Sequence, residues 1–565
     1  MAKYLNWQRA VLVALTAIVV YLTFIPLFMI LYGTFRDGAP GTSAAFTLRN
    51  YVKAYADAEL LSLIGNTVIF AVGAALVSFL LGTYLAWVTE RTNTPLKGVI
   101  YALVLLPFVV PGVLTSISWV LLLSPKVGLI NWLFVDLFGF SEPPFNVYSM
   151  WGMIWAFGAD NITLPFFFMA AAFRSMDPSL EEAAQVSGMG PFRVFWHVNV
   201  KLMIPSILAI WLLLFVRGIE SFEAPAVIGI PAEIKVFATQ IFLALSVTYP
   251  PEYNLAGTYA TLYLVIAVLG VLLYLQVTSA SEKYTTITGK AYRPRRQDLG
   301  RWRYLTLAIS LLILFIVVVL PVLMVAWVSL LPYYSRPSAH LLSLLTLRNY
   351  SVILNLDVFY SALINNIVVG VSSATIAVLL SAGISWVVIR TKFSGRKLLD
   401  VLAFTPIAIP GVVMGLALIW MYLTVPIPVY GTLWILVIGY VTKFIPIALR
   451  ACHSSLLQIH PELEEASEIS GSSWPRTFGR VLLPLMIPGL LVGWFYVLTL
   501  TFKVLSIPVL LSHVGTQVFP IVLFQFYSSG RFGELCALGT ILIGILTLVA
   551  GVARFVSGQF GVQER

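Results

Sequence analysis

The sequence is poor in charge, cysteine and histidine. Only 10% of its 565 residues are charged, whereas 59% are hydrophobic and the mean hydropathy is +0.94. A soluble globular domain carries about 25% charged residues, so the composition excludes a soluble protein and indicates an integral membrane protein. Two cysteines and five scattered histidines are too few for a metal site.

Two further patterns are absent from the sequence. The phosphate-binding loop G-x-x-x-x-G-K-[S/T] does not occur, so the chain does not hydrolyse ATP by that route. Catalytic His, Asp or Ser residues do not cluster at one depth of the apolar segments, which argues against an intramembrane enzyme. We therefore predict that the chain is not an enzyme.

Long hydrophobic runs dominate what is present. A bilayer is crossed by about 20 apolar residues, and we count twelve such runs, which predicts an all-α membrane protein of about twelve transmembrane helices. They lie near 10–33, 62–88, 98–123, 148–173, 203–230, 254–278, 303–331, 360–389, 398–424, 430–452, 485–511 and 534–556.

The distribution of basic residues predicts the orientation. With the first loop placed outside, 23 of the 34 Lys and Arg residues face the cytoplasm, eight face the other side and three fall inside spans. The positive-inside rule then places both termini in the cytoplasm, as expected for a multi-pass protein of a bacterial inner membrane. The excess of basic residues on the cytoplasmic side accounts for the net charge of +10, so we expect the lipid bilayer and no nucleic acid as a partner.

The chain repeats itself. TLRNY at 47–51 recurs at 346–350, and the same offset of 299 pairs Asn66 with Asn365 and Arg91 with Arg390. Later matches have an offset of 283, so the first half has an insertion, expected at 124–147. We predict two parallel six-span halves, 1–280 and 304–565, joined by a basic cytoplasmic linker at 281–303.

The best-matched repeat is a polar loop between spans. Residues 178–205 and 461–488 share 14 of 28 positions at the offset of 283. In the first copy Asp177 and Pro178 predict a helix start, and Gly188 predicts its end, followed by a second short helix at 190–200. Loops between spans rarely stay alike, so we interpret 177–201 and 460–484 as docking loops that bind two copies of one partner.

This helix–glycine–helix pattern resembles the EAA loop of the permease subunits of ATP-binding-cassette (ABC) importers. Glu465, Ala466, Ser467 and Gly471, followed by Val481-x-Leu483-Pro484, follow the family pattern closely. The first copy keeps the Glu, Ala and Gly positions but has Val198-x-Val200-Lys201 at its end. The resemblance implies the type I importer permease fold and an ATPase-docking role for ten residues: Glu181, Glu182, Ala183, Ala184, Gly188, Glu464, Glu465, Ala466, Ser467 and Gly471.

The resemblance also implies partners. These are two copies of an ABC ATPase, which bind ATP and Mg²⁺ on their own surfaces, and a periplasmic solute-binding protein. Fused two-half permeases of this length resemble those for ferric iron, and the segment 217–231 is similar to that group. Thiamine, a polyamine or another small solute is the alternative, and a secondary transporter driven by an ion gradient is a less favoured one.

Charged residues inside the apolar segments are costly and usually functional. The offset of 283 pairs Asp160 with Lys443 and Glu220 with Lys503, an acid in the first half with a lysine in the second each time. We expect each pair to form an inter-half salt bridge, either structural or lining the translocation pathway. The complete set is Asp160, Arg217, Glu220, Glu223, Lys443 and Lys503.

Overall fold

A computed structural model describes residues 2–176, 178–281, 297–335 and 339–559. Within those ranges the chain is helical, and its extended segments amount to two isolated bridges, Arg36 with Phe46 and Thr92 with Gln297. The all-α membrane fold predicted from composition is confirmed. Residues 282–296 of the predicted linker, and the proposed helix-capping Asp177, lie outside the described residues.

The described residues contain twelve candidate membrane spans when each bent helix pair is taken as one span. Nine are continuous helices and three are pairs of helices that meet at a sharp bend. Spans 1 to 6 are Arg9–Thr34, Leu60–Arg91, Lys97–Phe108 with Gly112–Leu123, Met150–Asp160 with Thr163–Arg174, Trp196–Glu220 and Tyr253–Val277. Spans 7 to 12 are Trp302–Ser329, Asp357–Arg390, Arg396–Ala408 with Gly411–Thr424, Leu433–Leu457, Trp474–Lys503 and Phe532–Val556.

Shorter helices lie in the connections between spans, and four turns within or beside spans are π-helical. The shorter helices are Arg49–Tyr55, Leu129–Phe138, Pro178–Val186, Phe237–Ser246, Ala339–Ser343, Arg348–Leu354, Glu462–Ile469, Pro508–Leu511 and Phe519–Ser528. The π turns are Phe195–Asn199, Pro225–Gly229, Phe315–Val319 and Phe478–Leu482. Leu129–Phe138 has no counterpart in the second half, and it occupies the segment where the insertion was expected.

Spans 3 and 9 bend at the same repeated sequence. The two helices of span 3 meet at 103° before Gly112, and those of span 9 meet at 108° before Gly411. In each case the residue before the glycine is a proline, Pro111 or Pro410, which cannot donate a helical hydrogen bond. The bends therefore expose backbone carbonyl groups inside the apolar layer, where they need other donors.

The fourth spans of the two halves differ. Span 4 bends by 53° between Asp160 and Thr163, whereas its counterpart, span 10, runs unbroken through Lys443. Hydropathy cannot distinguish these cases because both segments of a bent span are apolar.

The first span of each half packs against the opposite half. Tyr21 on span 1 shares a hydrogen bond of 2.9 Å with Tyr422 on span 9, and a Cβ built on Gly33 would collide with the Trp420 ring. Span 7 in turn lies against the second helix of span 3 and against span 12. Each half thus contributes its first span to the packing of the other half.

Candidate functional site

Each docking loop contains a short helix that ends at a left-handed glycine. The first docking helix is Pro178–Val186 and the second is Glu462–Ile469. Gly188 and Gly471 have φ angles of +84° and +82°, a conformation that glycine adopts at no steric cost. The Met189 and Ser472 amides close the ends by donating to Ala184 O and Ser467 O, both at 3.1 Å, as expected for a glycine C-cap.

The second short helix predicted at 190–200 is not a separate element. Pro191–Val194 continues through the π turn Phe195–Asn199 into span 5, and Trp474–Thr477 continues through Phe478–Leu482 into span 11. The two π turns lie at the offset of 283. Each docking helix is therefore joined through its glycine to a helical segment that runs on into the membrane.

The two docking helices expose the same face. Glu182 and Ala183 in the first, and Glu465 and Ala466 in the second, are exposed, whereas Ala184 is buried and Ser467 is half-buried. Ser467 Oγ shares a hydrogen bond of 2.9 Å with Thr477 Oγ1, which ties the second helix to the segment entering span 11. The matched pairs Glu182/Glu465 and Ala183/Ala466 are thus exposed in both copies.

An apolar side chain lies on this face in both copies, and sequence reasoning missed it. Val186 is 89% exposed and Ile469 is 87% exposed, at positions that correspond by the offset of 283. A single exposed apolar residue is ordinary on a protein surface, but here it recurs at the same position of both docking helices. The signal was present in the repeat as a β-branched residue two positions before each glycine.

The first glutamate of each pair turns towards the membrane. Glu181 forms an ion pair with Arg91 at the end of span 2, and Glu464 lies 2.8 Å from Arg390 Nε at the end of span 8. The four side chains are only 6 to 14% exposed. Glu181 and Glu464, expected to contact the ATPase, are therefore held by the chain's own arginines, and the outward carboxylates are Glu182 and Glu465.

We call the Arg91–Glu181 and Arg390–Glu464 pairs the arginine anchors. Aromatic side chains also contact the second of them. Trp386 Nε1 donates to Glu464 Oε2 at 3.1 Å, and its ring packs on Trp474 with centroids 4.4 Å apart. Trp474 stacks on Phe478 at 5.2 Å. In the first half Trp87 occupies the position of Trp386, but the position of Trp474 is Pro191. The repeat thus preserves the arginine anchor in both halves and the aromatic anchor in one.

Among the described residues, one ion pair joins the apolar segments of the two halves, and its partners differ from those expected. Lys443 Nζ lies 3.0 Å from Glu220 Oε1, so the partner of Glu220 is Lys443 rather than Lys503. Lys443 also donates to Ile409 O at 2.6 Å, beside the bend of span 9. The offset of 283 relates Glu220 to Lys503 and Lys443 to Asp160. The equivalent of the Glu220–Lys443 pair in the repeat is therefore Lys503 with Asp160.

The equivalent residues Lys503 and Asp160 do not form an ion pair. Lys503 Nζ donates to Pro107 O and Phe108 O, both at 2.9 Å, beside the bend of span 3. Asp160 instead accepts a hydrogen bond of 2.9 Å from Thr115 Oγ1. Each lysine thus donates to carbonyls freed by a bend, but only Lys443 also reaches a carboxylate.

Glu223 binds across the same boundary, and Arg217 lies close enough to interact electrostatically with Asp160, Glu220 and Lys503. Glu223 Oε1 accepts from the Leu505 amide at 3.1 Å. A Cβ built on Gly112, the first residue of the second helix of span 3, would lie 3.9 Å from Glu223 Cγ and 3.5 Å from Asp160 Oδ2. Carboxylates are favoured near a helix N-terminus. Arg217 lies on an exposed face of span 5.

Comparison with known proteins gives a family match in the second half and relatives along most of the chain. Residues 374–559 match the binding-protein-dependent transport system inner membrane component family. The ferric transport system permease protein FbpB of Actinobacillus pleuropneumoniae is 25% identical over 560 residues, which cover 97% of this chain and 78% of that protein. The putative ferric transport system permease protein FbpB 1 of Haemophilus influenzae is 25% identical over 538 residues, covering 94% and 82%.

A half-length relative is also similar. The spermidine/putrescine transport system permease protein PotC of Escherichia coli is 24% identical over 208 residues, which cover 37% of this chain and 78% of that protein. The full-length and half-length matches agree with two fused six-span units. The chain is thus a permease of the ABC importer class in which two permease units are fused into one inner-membrane protein.

Proposed function

We propose that this permease moves a solute, delivered by a periplasmic binding protein, into the cytoplasm, and that two copies of an ATPase drive it from the docking loops. ATP and Mg²⁺ bind to those partner subunits. The observation that carries the proposal is the pair of docking helices, which end at glycines of the same conformation and expose the same Glu, Ala and β-branched residues. Two like surfaces on one chain fit two copies of one partner.

The docking-loop side is the cytoplasmic side in this proposal, and both termini lie there. Closure of the paired ATPases on ATP draws the docking helices together, and the halves then rock so that the pathway opens to the binding protein. Hydrolysis returns the pathway to the cytoplasmic side. In this proposal the pathway closes at the boundary charges Glu220, Glu223, Lys443, Lys503 and Asp160, with Arg217 on the same span as Glu220.

We propose ferric iron as the solute. The two full-length relatives whose names specify ferric transport support this choice. Among the described residues, no three His, Cys, Asp or Glu side chains cluster closely enough to hold a metal ion. Iron would therefore pass with weak contact to single carboxylates such as Glu223, and the binding protein would supply the selectivity.

The docking proposal is tested by co-purification of the ATPase with the tagged permease. Truncating Glu182→Ala and Glu465→Ala together should weaken the association about tenfold, which corresponds to about 1.4 kcal/mol. V186D with I469D should abolish it, because a charge would enter the centre of the contact. E142A, an exposed carboxylate away from both docking loops, is the matched control. Unchanged co-purification in both double variants would reject this surface as the dock.

The solute is tested by uptake of radioactive ferric iron in cells with and without the gene, under iron limitation. Uptake that needs both the gene and ATP would support the importer and its solute. Unchanged iron uptake, together with gene-dependent spermidine uptake, would favour a polyamine, for which the similarity to PotC is the specific observation. Uptake that survives ATP depletion while an ion gradient is maintained would instead indicate a secondary transporter.

A further inference from the structure

The second span of each half is far longer than the bilayer requires. Span 2, Leu60–Arg91, has 32 residues, and span 8, Asp357–Arg390, has 34. At 1.5 Å per residue they are about 48 to 51 Å long, whereas the hydrocarbon layer is about 30 Å thick. We name them the first and second strut helices. Each extends from a docking loop to the opposite side of the protein.

At the docking-loop end, each strut helix is joined to a docking helix by an arginine. Arg91 is the last residue of the first strut and pairs with Glu181, and Arg390 is the last residue of the second and pairs with Glu464. Arg390 NH2 also donates to Leu456 O at 3.2 Å, at the end of span 10. Because these side chains are largely buried, a docking helix cannot move far without either breaking the pair or moving the strut.

At the other end, each strut helix is joined by side chains to a loop that follows the fifth span of its half. In the first half Asn66 Nδ2 donates to Lys235 O at 3.2 Å, and Thr67 Oγ1 accepts from the Phe237 amide at 3.2 Å. Lys235 Nζ lies 2.7 Å from Glu59 Oε2, just before the strut begins.

The second half repeats this connection. Asn365 Nδ2 donates to Gly515 O and Gln517 O, both at 2.9 Å, and Asn366 Oδ1 accepts from the Phe519 amide at 2.8 Å. The neighbouring Val514 is 98% exposed, so this loop lies at the surface opposite the docking loops.

The residues that make these connections recur in the internal repeat. Asn66 and Arg91 are 25 residues apart, and so are Asn365 and Arg390. That spacing is about 38 Å along a helix. The two halves have diverged over most of their length, but both retain an amide near one end of this helix and an arginine at the other.

We propose that Arg91 and Arg390 are positioning residues that couple the docking helices to the opposite-side loops through the strut helices. This inference rests on the proposed function, because it needs an ATPase to move the docking helices. A continuous helix transmits displacement along its length, and the polar contacts at both ends specify what it moves. The physical requirement is a rigid element whose position both sites influence.

A spin label at V514C tests the coupling directly. The two native cysteines, Cys452 and Cys536, are buried and 0% exposed, so the label reports from the loop. The permease is purified with its ATPase, and spectra are compared before and after trapping with ATP and orthovanadate. The parent protein should show a trapping-dependent change in label mobility. R390Q should retain the ATPase and reduce the fraction of responding label about tenfold.

Matched variants make the outcome decisive. R450Q is the control, since Arg450 lies at the docking-loop side of span 10 over the Phe404 ring and should leave the response unchanged. E464Q removes the charge from the other partner, and it replaces R390Q if that variant does not fold. A full response in R390Q or E464Q would overturn the proposal. Loss of ATPase binding in both R390Q and E464Q would also overturn it, because the Arg390–Glu464 pair would then only stabilise the docking surface.

The failure of the proposed function would look different. In that case the parent protein itself would not co-purify with an ATPase or would show no trapping-dependent change. R91Q extends the test to the first strut, where we expect a smaller effect on V514C, since that label is in the second half.

Discussion

The two halves carry opposite charges at corresponding depths of the membrane. The first half contributes Asp160 and Glu220, and the second contributes Lys443 and Lys503 at the matching positions. Only Lys443 and Glu220 meet, at 3.0 Å, whereas Lys503 donates to backbone carbonyls and Asp160 accepts from a threonine. A duplicated scaffold has thus become chemically asymmetric where its halves touch.

The asymmetry has a consequence for assembly. If both halves carried acids, or both carried lysines, like charges would face one another in an apolar layer, which is strongly unfavourable. Opposite charges favour contact between unlike halves and disfavour contact between like halves. Fusion into one chain removes any need for identical halves, because the partner is always present.

The largest expected effect comes from breaking the Glu220–Lys443 pair. K443E places a second carboxylate against Glu220 and should destabilise the protein by about 3 to 5 kcal/mol. Thermal unfolding in detergent, followed by tryptophan fluorescence, should shift down by several degrees. Adding E220K should restore most of the shift because it recreates the pair in reverse.

The control for that experiment is K392E, at an exposed lysine just after span 8. It should change the midpoint little, since exposed charges contribute little to stability. Equal shifts in K443E and K392E, or no recovery in the double variant, would contradict the view that the pair joins the halves.

A smaller loss is expected at Lys503, which forms no ion pair with Asp160. K503M removes the charged donor shared by Pro107 O, in a half-buried contact, and Phe108 O, in an exposed one, at a cost of about 1 to 3 kcal/mol. K503R should retain most of the stability because it still donates. If E220K rescued K503E as well as it rescues K443E, the partner assignment drawn from the structure would be wrong. The measurement is the same thermal transition, with uptake of labelled solute as the second readout.

Making the first half resemble the second gives a still smaller change. The offset of 283 aligns Glu223 with Ser506, so E223S copies the second half into the first. It removes a hydrogen bond from the Leu505 amide to a charged acceptor, which contributes about 1.5 to 3 kcal/mol, and the shorter hydroxyl recovers part of that through water. We expect a small fall in the unfolding midpoint. An unchanged midpoint would show that the Leu505 amide has another acceptor available.

Much of the fold follows from apolar runs and from the repeat. Spans were predicted because about 20 consecutive apolar residues have few other uses, and Gly188 and Gly471 were predicted to end helices because glycine readily adopts positive φ. The bend at Asp160 was not predicted, since hydropathy is the same on both sides of it. The inward turn of Glu181 and Glu464 depends on how each docking helix is rotated against span 2 or 8, which no local pattern specifies. The one feature of the sequence that pointed to these ion pairs was the recurrence of Arg91 as Arg390.

The crossed pairing at mid-membrane was missed for a related reason. Sequence offset identifies residues that are equivalent under the repeat, but equivalent residues meet only if they lie on the axis that relates the halves. A residue away from the axis instead meets the equivalent of some other residue. Glu220, for example, meets Lys443, which is the equivalent of Asp160. The distance of a residue from the axis depends on how the helices pack. The sequence therefore predicted which residues carry charge inside the spans, but it did not predict which of them pair.

The smallest expected effect separates the two docking loops. The second docking helix has the Trp386 indole as an added hydrogen-bond donor to Glu464, with a ring stack onto Trp474, and the first has no residue like Trp474 at the matching position. Amide hydrogen exchange should therefore be slower in Glu462–Ile469 than in Pro178–Val186. W386F removes the donor but keeps an aromatic ring, and it should speed exchange in the second helix by a factor of about 2 to 10, as expected for a hydrogen bond that contributes about 0.5 to 1.5 kcal/mol. W87F, the equivalent change in the first half, is the control and should leave both helices as they were. Equal protection of the two docking helices in the parent protein would mean that the shared arginine anchors, and not the aromatic residues, set how firmly each loop is held.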